Sequence, residues 1–313
     1  MSTVVLAAAA SPPRPGWLRI AVAAARPQTL PASLAPVVAG TALAWRDGGL
    51  RWGPAAAALL GALCIQLGTN LHNDAADAGR GADGPDRLGP PRVVAQGWAS
   101  RRAVLAWAAL LFAAACVPGA YLVALGGWPI LALGLASLLC GWLYTGGPWP
   151  LAYLGLGELF VVAFFGVGAV SGTYYVQTLT VPLEPALCGV AIGAFAAGIL
   201  AVNNLRDRAG DAKAKKNTLA VRLGERFARA EHAVCLLGPF ALALALFAAS
   251  RWPGWLVVQA ALPLALREVV LARRRDGRDL APHLAGAGRV ELLYALLLAG
   301  AAAFLPLASA GRA

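Results

Sequence analysis

The sequence predicts an all-α fold, a polytopic bundle of nine transmembrane helices, and three observations carry that prediction. Of the 313 residues, 59% are hydrophobic and only 13% charged, and a mean hydropathy of +0.66 exceeds what a solvated globular surface allows. Apolar runs recur at 28–45, 53–72, 103–122, 124–143, 152–175, 183–203, 232–250, 252–271 and 289–308. Each is near or above the length of about 20 residues that crosses a hydrocarbon core. With the N-terminus inside, 22 of the 26 Lys and Arg residues fall on inner connections, and only Arg46, Arg51, Arg251 and Arg312 lie outside. That bias orients membrane proteins, and an even number of spans would break its alternation.

The net charge of +11 would suggest nucleic acid in a soluble chain. Here the excess sits between spans, so no nucleic acid is expected and the surrounding partner is the lipid bilayer. The expected location is the cell inner membrane, with the N-terminus and the active site facing the cytoplasm. Residues 1–27 read as a tail and the entry to the first span, and 28–313 as a single transmembrane domain. Met1 to Ser11 lacks the basic region of a signal peptide and is expected to be a loose tail. Cys64, Cys116, Cys140, Cys188 and Cys235 are dispersed without CxxC spacing, as small apolar residues would be. Trp45, Trp52, Trp128, Trp252 and Trp255 fall at outer span ends, where indoles anchor in the headgroup layer; His232 and His283 also read as interfacial.

Few charges remain for chemistry, and two inner stretches concentrate them. Asn70-Leu-His-Asn73-Asp74-Ala-Ala-Asp77 continues through Arg80 to Asp83 after the second span, and Asn203-Asn204-Leu-Arg206-Asp207 continues through Asp211 to Lys216 after the sixth. Asp74 with Asp77, and Asp207 with Asp211, share a helical face at i, i+3 and i, i+4. Paired carboxylates repel unless a cation intervenes. Hard oxygens at this spacing suit Mg²⁺, which commonly bridges carboxylates to substrate phosphate, so two clusters imply a di- or triphosphate held between them. Asn70, Asn203 and Asn204, which lead the motifs, and Arg87, Arg92, Lys213 and Lys216, which follow them, are assigned to the substrate; the cations neutralise a leaving diphosphate. Four spans separate the motifs, which suggests two similarly oriented halves. Glu158 lies well inside a proposed span, where a carboxylate is costly enough to suggest function, here orienting or deprotonating an acceptor. A helix-packing glutamate bonded to a neighbouring hydroxyl or amide is the alternative.

At these residues the chain resembles the UbiA superfamily of intramembrane aromatic prenyltransferases. Further stretches carry the resemblance: Ala25-Arg26-Pro-Gln-Thr-Leu-Pro, Gly89-Pro-Pro-Arg92, Tyr144-Thr-Gly-Gly-Pro148, Gly155-Leu-Gly-Glu158 and Asn203 through Gly224. The last third rests on hydropathy alone. The Tyr-Thr-Gly-Gly-Pro, Gly-Leu-Gly-Glu and Asn-Asn-Leu-Arg-Asp forms point to the naphthoate branch. The resemblance implies nine helices around a central cavity open laterally to lipid. It implies Asn73, Asp74, Asp77, Asp83, Asp207 and Asp211 as the Mg²⁺ and diphosphate site, with Arg26, Arg92, Tyr144 and Lys216 assisting. The implied reaction joins a polyprenyl group, from polyprenyl diphosphate, to the aromatic acceptor 1,4-dihydroxy-2-naphthoate with loss of carboxylate, giving a demethylmenaquinone-type product; Asp74, Asp77, Asp207, Asp211 and Glu158 are its catalytic set. One departure stands out, since Trp149 occupies the region where many members carry a basic residue after the loop tyrosine. Other acceptors, 4-hydroxybenzoate or a glycerol-phosphate lipid, are the alternatives within the superfamily, and a transporter is the alternative of another class.

Overall fold

Helices follow the apolar runs, and their departures from the expected boundaries lie at polar ends. The computed structural model describes residues 15–81, 83, 84 and 87–305; the tail expected at Met1 to Ser11 lies outside them. The described helices are α1 (Trp17–Ala25), α2 (Pro31–Arg46), α3 (Trp52–Gly79), α4 (Arg101–Gly126), α5 (Trp128–Leu143), α6 (Gly157–Thr178), α7 (Leu183–Lys213), α8 (Leu219–Ser250), α9 (Gly254–Ala272) and α10 (Gly277–Phe304). Among them, seven (α3, α4 and α6 to α10) are long and apolar enough to cross a membrane. Two 16-residue helices, α2 and α5, stand where the first and fourth spans were expected. With these two shorter helices the expected nine is met approximately, and the chain is a multi-pass membrane protein. The short amphipathic α1 ahead of the first span was not expected. It buries Ile20 and Ala24 while Trp17 and Leu18 remain exposed.

Local chemistry explains the helix starts. Ser100 and Thr218 cap α4 and α8, accepting from the Ala103 and Val221 amides. Proline opens α2 and occupies the first turn of α5, where its missing N–H costs nothing. The second and sixth apolar runs were expected to end at 72 and 203, but their helices run on to Gly79 and Lys213. Both Asp motifs therefore ride on the last turns of apolar helices. The backbone amides there stay satisfied within the helix, which a loop at this depth could not ensure.

The seventh helix, α7, is the mast of the bundle: 72% of its most apolar window is buried, against 11% for α4. Small residues make that depth possible. A Cβ at Gly166 would meet the Gly189 carbonyl at 2.3 Å, and one at Gly193 would meet the Val162 Cα at 2.8 Å. The backbones of α6 and α7 thus touch, as small-residue stripes allow in membranes. The α6 segment in this contact, Val162–Gly168, is wound as a π-helix.

At the end opposite the Asp motifs, a partly buried ionic knot around the buried Arg46 joins the helices. Arg46 donates to Glu184 at 2.7 and 2.8 Å and to Asp47 at 2.7 and 3.1 Å, and its guanidinium lies 4.9 Å from the centre of the Trp252 ring. Tyr174 Oη donates to Asp47 and Trp255 Nε1 to Glu184. The anchoring role expected for Trp252 and Trp255 is therefore corrected. Both are buried at 1% and 0% exposure, because their ring and N–H complete this knot, whereas Trp45, Trp52 and Trp128 are exposed as expected. The histidines are corrected too. His232 is buried against the Gly198 carbonyl, and His283 meets the buried Glu268 at 2.9 Å.

Arg46 is buried, whereas its carboxylate partners remain partly accessible and keep some solvent compensation. Arg46→Ala is expected to destabilise the protein by about 2 kcal/mol, the scale of hydrogen bonds to charged groups, read as a lower Tm of the detergent-solubilised chain. Turnover per folded molecule should persist, because the knot lies at the far end from the carboxylates. An unchanged Tm would show that Asp47 and Glu184 do not need the arginine.

Candidate active site

Two connected chambers lie within the helices. The larger, about 520 Å³, is walled by apolar and small residues such as Ile65, Cys140, Phe160 and Phe164. The smaller, about 160 Å³, is polar and is lined among others by Arg26, Asp77, Arg92, Glu158, Asn204 and Lys216. Ala32, Thr69, Tyr144, Val161 and Phe165 line both. These shared residues form a seam between an apolar space and a charged one.

The first motif supplies one wall. Asn70, Asn73 and Asp77 line the polar chamber, at the spacing that puts residues on one face of α3. Asn70 Nδ2 donates to the Ala25 carbonyl at 3.0 Å, and the main-chain carbonyl of Asn70 accepts from Arg26 at 3.3 Å. Asn73 accepts from Thr145 Oγ1 at 2.7 Å. Asp77 accepts from Tyr153 Oη at 3.0 Å and from Arg92 at 3.3 Å. Asp74 has a different setting: its two oxygens accept the Val93 and Val94 backbone amides at 2.8 and 3.0 Å. It thereby holds the connection that carries Arg92. Asp83 pairs with Arg87 at 2.6 Å and with Arg92 at 3.5 Å. Burial pushes its carboxyl up to about 6, against the pull of Arg87.

The second motif faces the first. Asn204 Nδ2 donates to Glu158 Oε1 at 2.8 Å, the amide bond foreseen as the packing alternative, yet both residues also line the polar chamber. Asn203 and Asp207 both accept from the buried Arg206. Asp211 pairs with Lys216 at 3.5 Å. Burial pushes the Lys216 ammonium down, but Asp77, Asp211 and Asp207 together outweigh it and its pKa is raised. One lysine thus feels carboxylates from both motifs, which the fold has brought together. Lys213 is exposed at the end of α7 and does not line the chamber, so Lys216 is the lysine turned inward. Asp74, Asp83, Arg87, Asp207 and Asp211 do not line the chamber.

Arg26 joins α1 to α2 with φ 52 and ψ 70, a left-handed conformation that costs an L-residue roughly 1–2 kcal/mol. Such strain persists where the surroundings hold it, often at functional sites. Burial lowers the pKa of its guanidinium, opposed chiefly by Asp74. Tyr144 has its hydroxyl pKa raised by burial and by Glu158, Asp77 and Asp211. Trp149 is 73% exposed and leaves its loop without a cation, but Arg80 reaches across from α3 to the Thr145 and Gly147 carbonyls.

Several residues here were not foreseen. Gln66, Thr69, Thr145, Tyr153 and Thr218 line the chamber or bond to its walls. Gln66 had a readable signal, since it stands one turn before Asn70 on the same face of α3; Tyr153 had none, being placed by a turn between helices.

Oxygen donors are present for a divalent cation. Asp83 Oδ2 and Asp211 Oδ2 are buried without a hydrogen-bond partner, and hard carboxylate oxygens fit Mg²⁺. Among the described residues no three His, Cys, Asp or Glu side chains already form a metal site. The carboxylates are held by Arg, Lys and Tyr instead, so an incoming cation would exchange with those partners.

The fold and these chambers define a polytopic membrane protein in which an apolar space opens into a charged one. The chain belongs to the UbiA prenyltransferase family, whose model matches residues 33–285. It is 42% identical over 285 residues to a 1,4-dihydroxy-2-naphthoate octaprenyltransferase of Mycobacterium tuberculosis, covering 90% of this chain and 96% of that one. To the protein of the same description from Escherichia coli it is 37% identical over 282 residues, covering 87% and 91%. Among solved structures, a UbiA homolog from Archaeoglobus fulgidus bound to GPP and Mg²⁺ matches with a TM-score of 0.65 at 17% identity, covering 91% of this chain and 99% of that one. An apo UbiA homolog from Aeropyrum pernix K1 matches with a TM-score of 0.66 at 16% identity, covering 87% and 96%. At such identities the structural likeness speaks for the fold.

The setting of Asp74 generates a prediction. Asp74→Ala removes the acceptor of two buried backbone amides, so hydrogen exchange at Val93 and Val94 should accelerate and Tm should fall. Unchanged exchange at both amides would mean that Asp74 does not hold this connection.

Proposed function

We propose that the chain transfers a polyprenyl group from its diphosphate to 1,4-dihydroxy-2-naphthoate, with Mg²⁺ and with loss of carboxylate, yielding a demethylmenaquinone-type product in its reduced, hydroquinone form. One observation carries the reading: the polar chamber with Asp77, Arg92 and Lys216 meets a larger apolar chamber at a seam marked by Tyr144. That shape fits a substrate with an anionic head and a long apolar tail. The description of the relatives as octaprenyltransferases acting on this acceptor supports the choice of both substrates.

In this reading the tail lies in the apolar chamber and the diphosphate among the cations of the polar one. Asn73 and Asp77, which line the chamber, would hold Mg²⁺ together with Asp74, Asp83, Asp207 and Asp211 once these exchange their present partners, and the ion would supply positive charge that stabilises the departing diphosphate. Arg26, Arg92 and Lys216 neutralise its oxygens directly, in a partly dry site where each contact counts for more than in water. The apolar walls at the seam keep water from the allylic carbon as its bond to oxygen breaks. Glu158, oriented by Asn204, accepts a hydroxyl proton from the naphthoate and so enriches the ring carbon that attacks. Attack comes from the ring carbon that bears the carboxylate, so loss of carbon dioxide restores the aromatic ring, and the proton held by Glu158 returns to the naphtholate oxygen. The chamber faces the cytoplasm of a cell whose inner membrane holds the protein, as the bias of Lys and Arg toward this end favours.

Asp77→Ala and Asp207→Ala should each abolish turnover in protein that still inserts and folds, since one well-placed electrostatic group is commonly worth about 3 kcal/mol or more in the transition state. The assay is diphosphate release from a prenyl donor by the purified protein, with and without a chelator. It is combined with mass spectrometry of products from a panel including 4-hydroxybenzoate and a glycerol phosphate. Near-normal turnover in either variant would reject the assignment of the carboxylate clusters, and a product from a different acceptor alone would reject the naphthoate.

Glu158→Gln keeps size and bonding capacity but removes charge and basicity. The acceptor's kcat or KM should worsen about tenfold or more, with little change for the donor, whereas Glu158→Ala should also lower Tm by stranding the Asn204 amide. Wild-type kinetics in Glu158→Gln would leave Glu158 a packing residue.

A further inference from the structure

Tyr153 sits outside every motif, in the short turn Leu151–Leu154 between α5 and α6, yet three connections converge on it. Its hydroxyl donates to Asp77 Oδ1 at 3.0 Å. Its carbonyl accepts from the Asn217 amide, between α7 and α8, at 3.2 Å. Two cations lie against its ring: the Arg80 guanidinium at 5.1 Å from the ring centre and the Lys216 ammonium at 5.8 Å. Each cation also reaches elsewhere. Arg80 binds the Gly147 carbonyl at 2.6 Å, and Lys216 pairs with Asp211 at 3.5 Å. The ring is therefore a shared surface between the end of α3, which carries the first carboxylate cluster, and the end of α7, which carries the second.

The chemistry of this arrangement is specific. An aromatic face attracts cations without neutralising them, so Lys216 keeps its charge for an anion while its position is fixed. A phenol that donates to one carboxylate oxygen orients the group and leaves it charged, as the outer partners of metal ligands do. With Tyr153 on Oδ1 and Arg92 on Oδ2, both oxygens of Asp77 are directed before any cation arrives.

We propose that Tyr153 is a positioning residue: it aims the Asp77 carboxylate at the metal diphosphate and sets the spacing of the two carboxylate clusters by seating Arg80 and Lys216 on one ring. This inference rests on the reading of Asp77 as a metal ligand.

The experiment compares the wild-type chain with Tyr153→Phe, Tyr153→Leu and Asp77→Asn, purified in detergent. Binding of Mn²⁺ in the presence of inorganic diphosphate is followed by electron paramagnetic resonance, alongside Tm and the KM for Mg²⁺. Phenylalanine keeps the ring and loses only the hydroxyl. Mn²⁺ affinity in Tyr153→Phe should fall about tenfold or more, the usual loss when an outer partner of a ligand is removed. The KM for Mg²⁺ should rise in parallel, with Tm near wild type and kcat at saturating Mg²⁺ reduced less. Tyr153→Leu also removes the seat of both cations and should bind more weakly still. Wild-type Mn²⁺ affinity and KM in Tyr153→Phe, with or without a lower Tm, would overturn the proposal while leaving Asp77 its role, provided Asp77→Asn has lost binding. Normal Mn²⁺ binding in Asp77→Asn would overturn both together.

Discussion

Every feature of the charged end answers to one constraint: a carboxylate removed from water must be met by a cation, a hydrogen-bond donor or both. Asp74 is met by backbone amides, Asp77 by Arg92 and Tyr153, Asp83 by Arg87 and Arg92, Asp207 by Arg206 and Asp211 by Lys216. The unpartnered oxygens of Asp83 and Asp211 show where the compensation is incomplete. These pairings are also what a metal and a diphosphate would rearrange, since the phosphate oxygens bring charge for the arginines and lysine and the metal brings charge for the carboxylates. A site balanced internally can thus be filled by a charge-balanced substrate complex without a large net change of buried charge.

Topology follows from the same requirement. Carboxylates and their cations must gather at one depth, so α3 and α7 are drawn out beyond their apolar runs. The other end solves its own burial of charge with Arg46, Glu184 and Asp47 and keeps clear of the chambers. Glu268 with His283 is a third, separate solution within the second half of the bundle.

The legible part of the fold was the part written in hydropathy and in unusual spending of charge. Nine apolar runs became helices in the expected order, and the two Asp motifs met in space because both follow helices of the same direction. The apolar runs stop short of the helix ends where polar residues continue a helix past the apolar core, as the helical spacing of the paired Asp residues anticipated, since hydropathy measures lipid and not hydrogen bonding. The tryptophans show the other limit: Trp128 and Trp252 have similar flanks, but only Trp252 meets an arginine, and that contact comes from residues far away in the chain. Glu158 was legible because a carboxylate inside an apolar run is conspicuous, whereas Tyr153 was not, because its meaning lies in neighbours contributed by three separate connections.

The contrast between α7 and α4 bears on how such a chain can diverge. Along α4 most side chains meet lipid, so exchange among leucine, valine, alanine and phenylalanine preserves what the position needs. Along the α6 contact of α7, Gly189 and Gly193 admit no added methyl without moving backbone. Sequence drift is therefore channelled: the outer helices can lose all trace of ancestry while the mast keeps its small residues. Two descendants of one ancestor would then be recognised chiefly by the helix that lipid touches least.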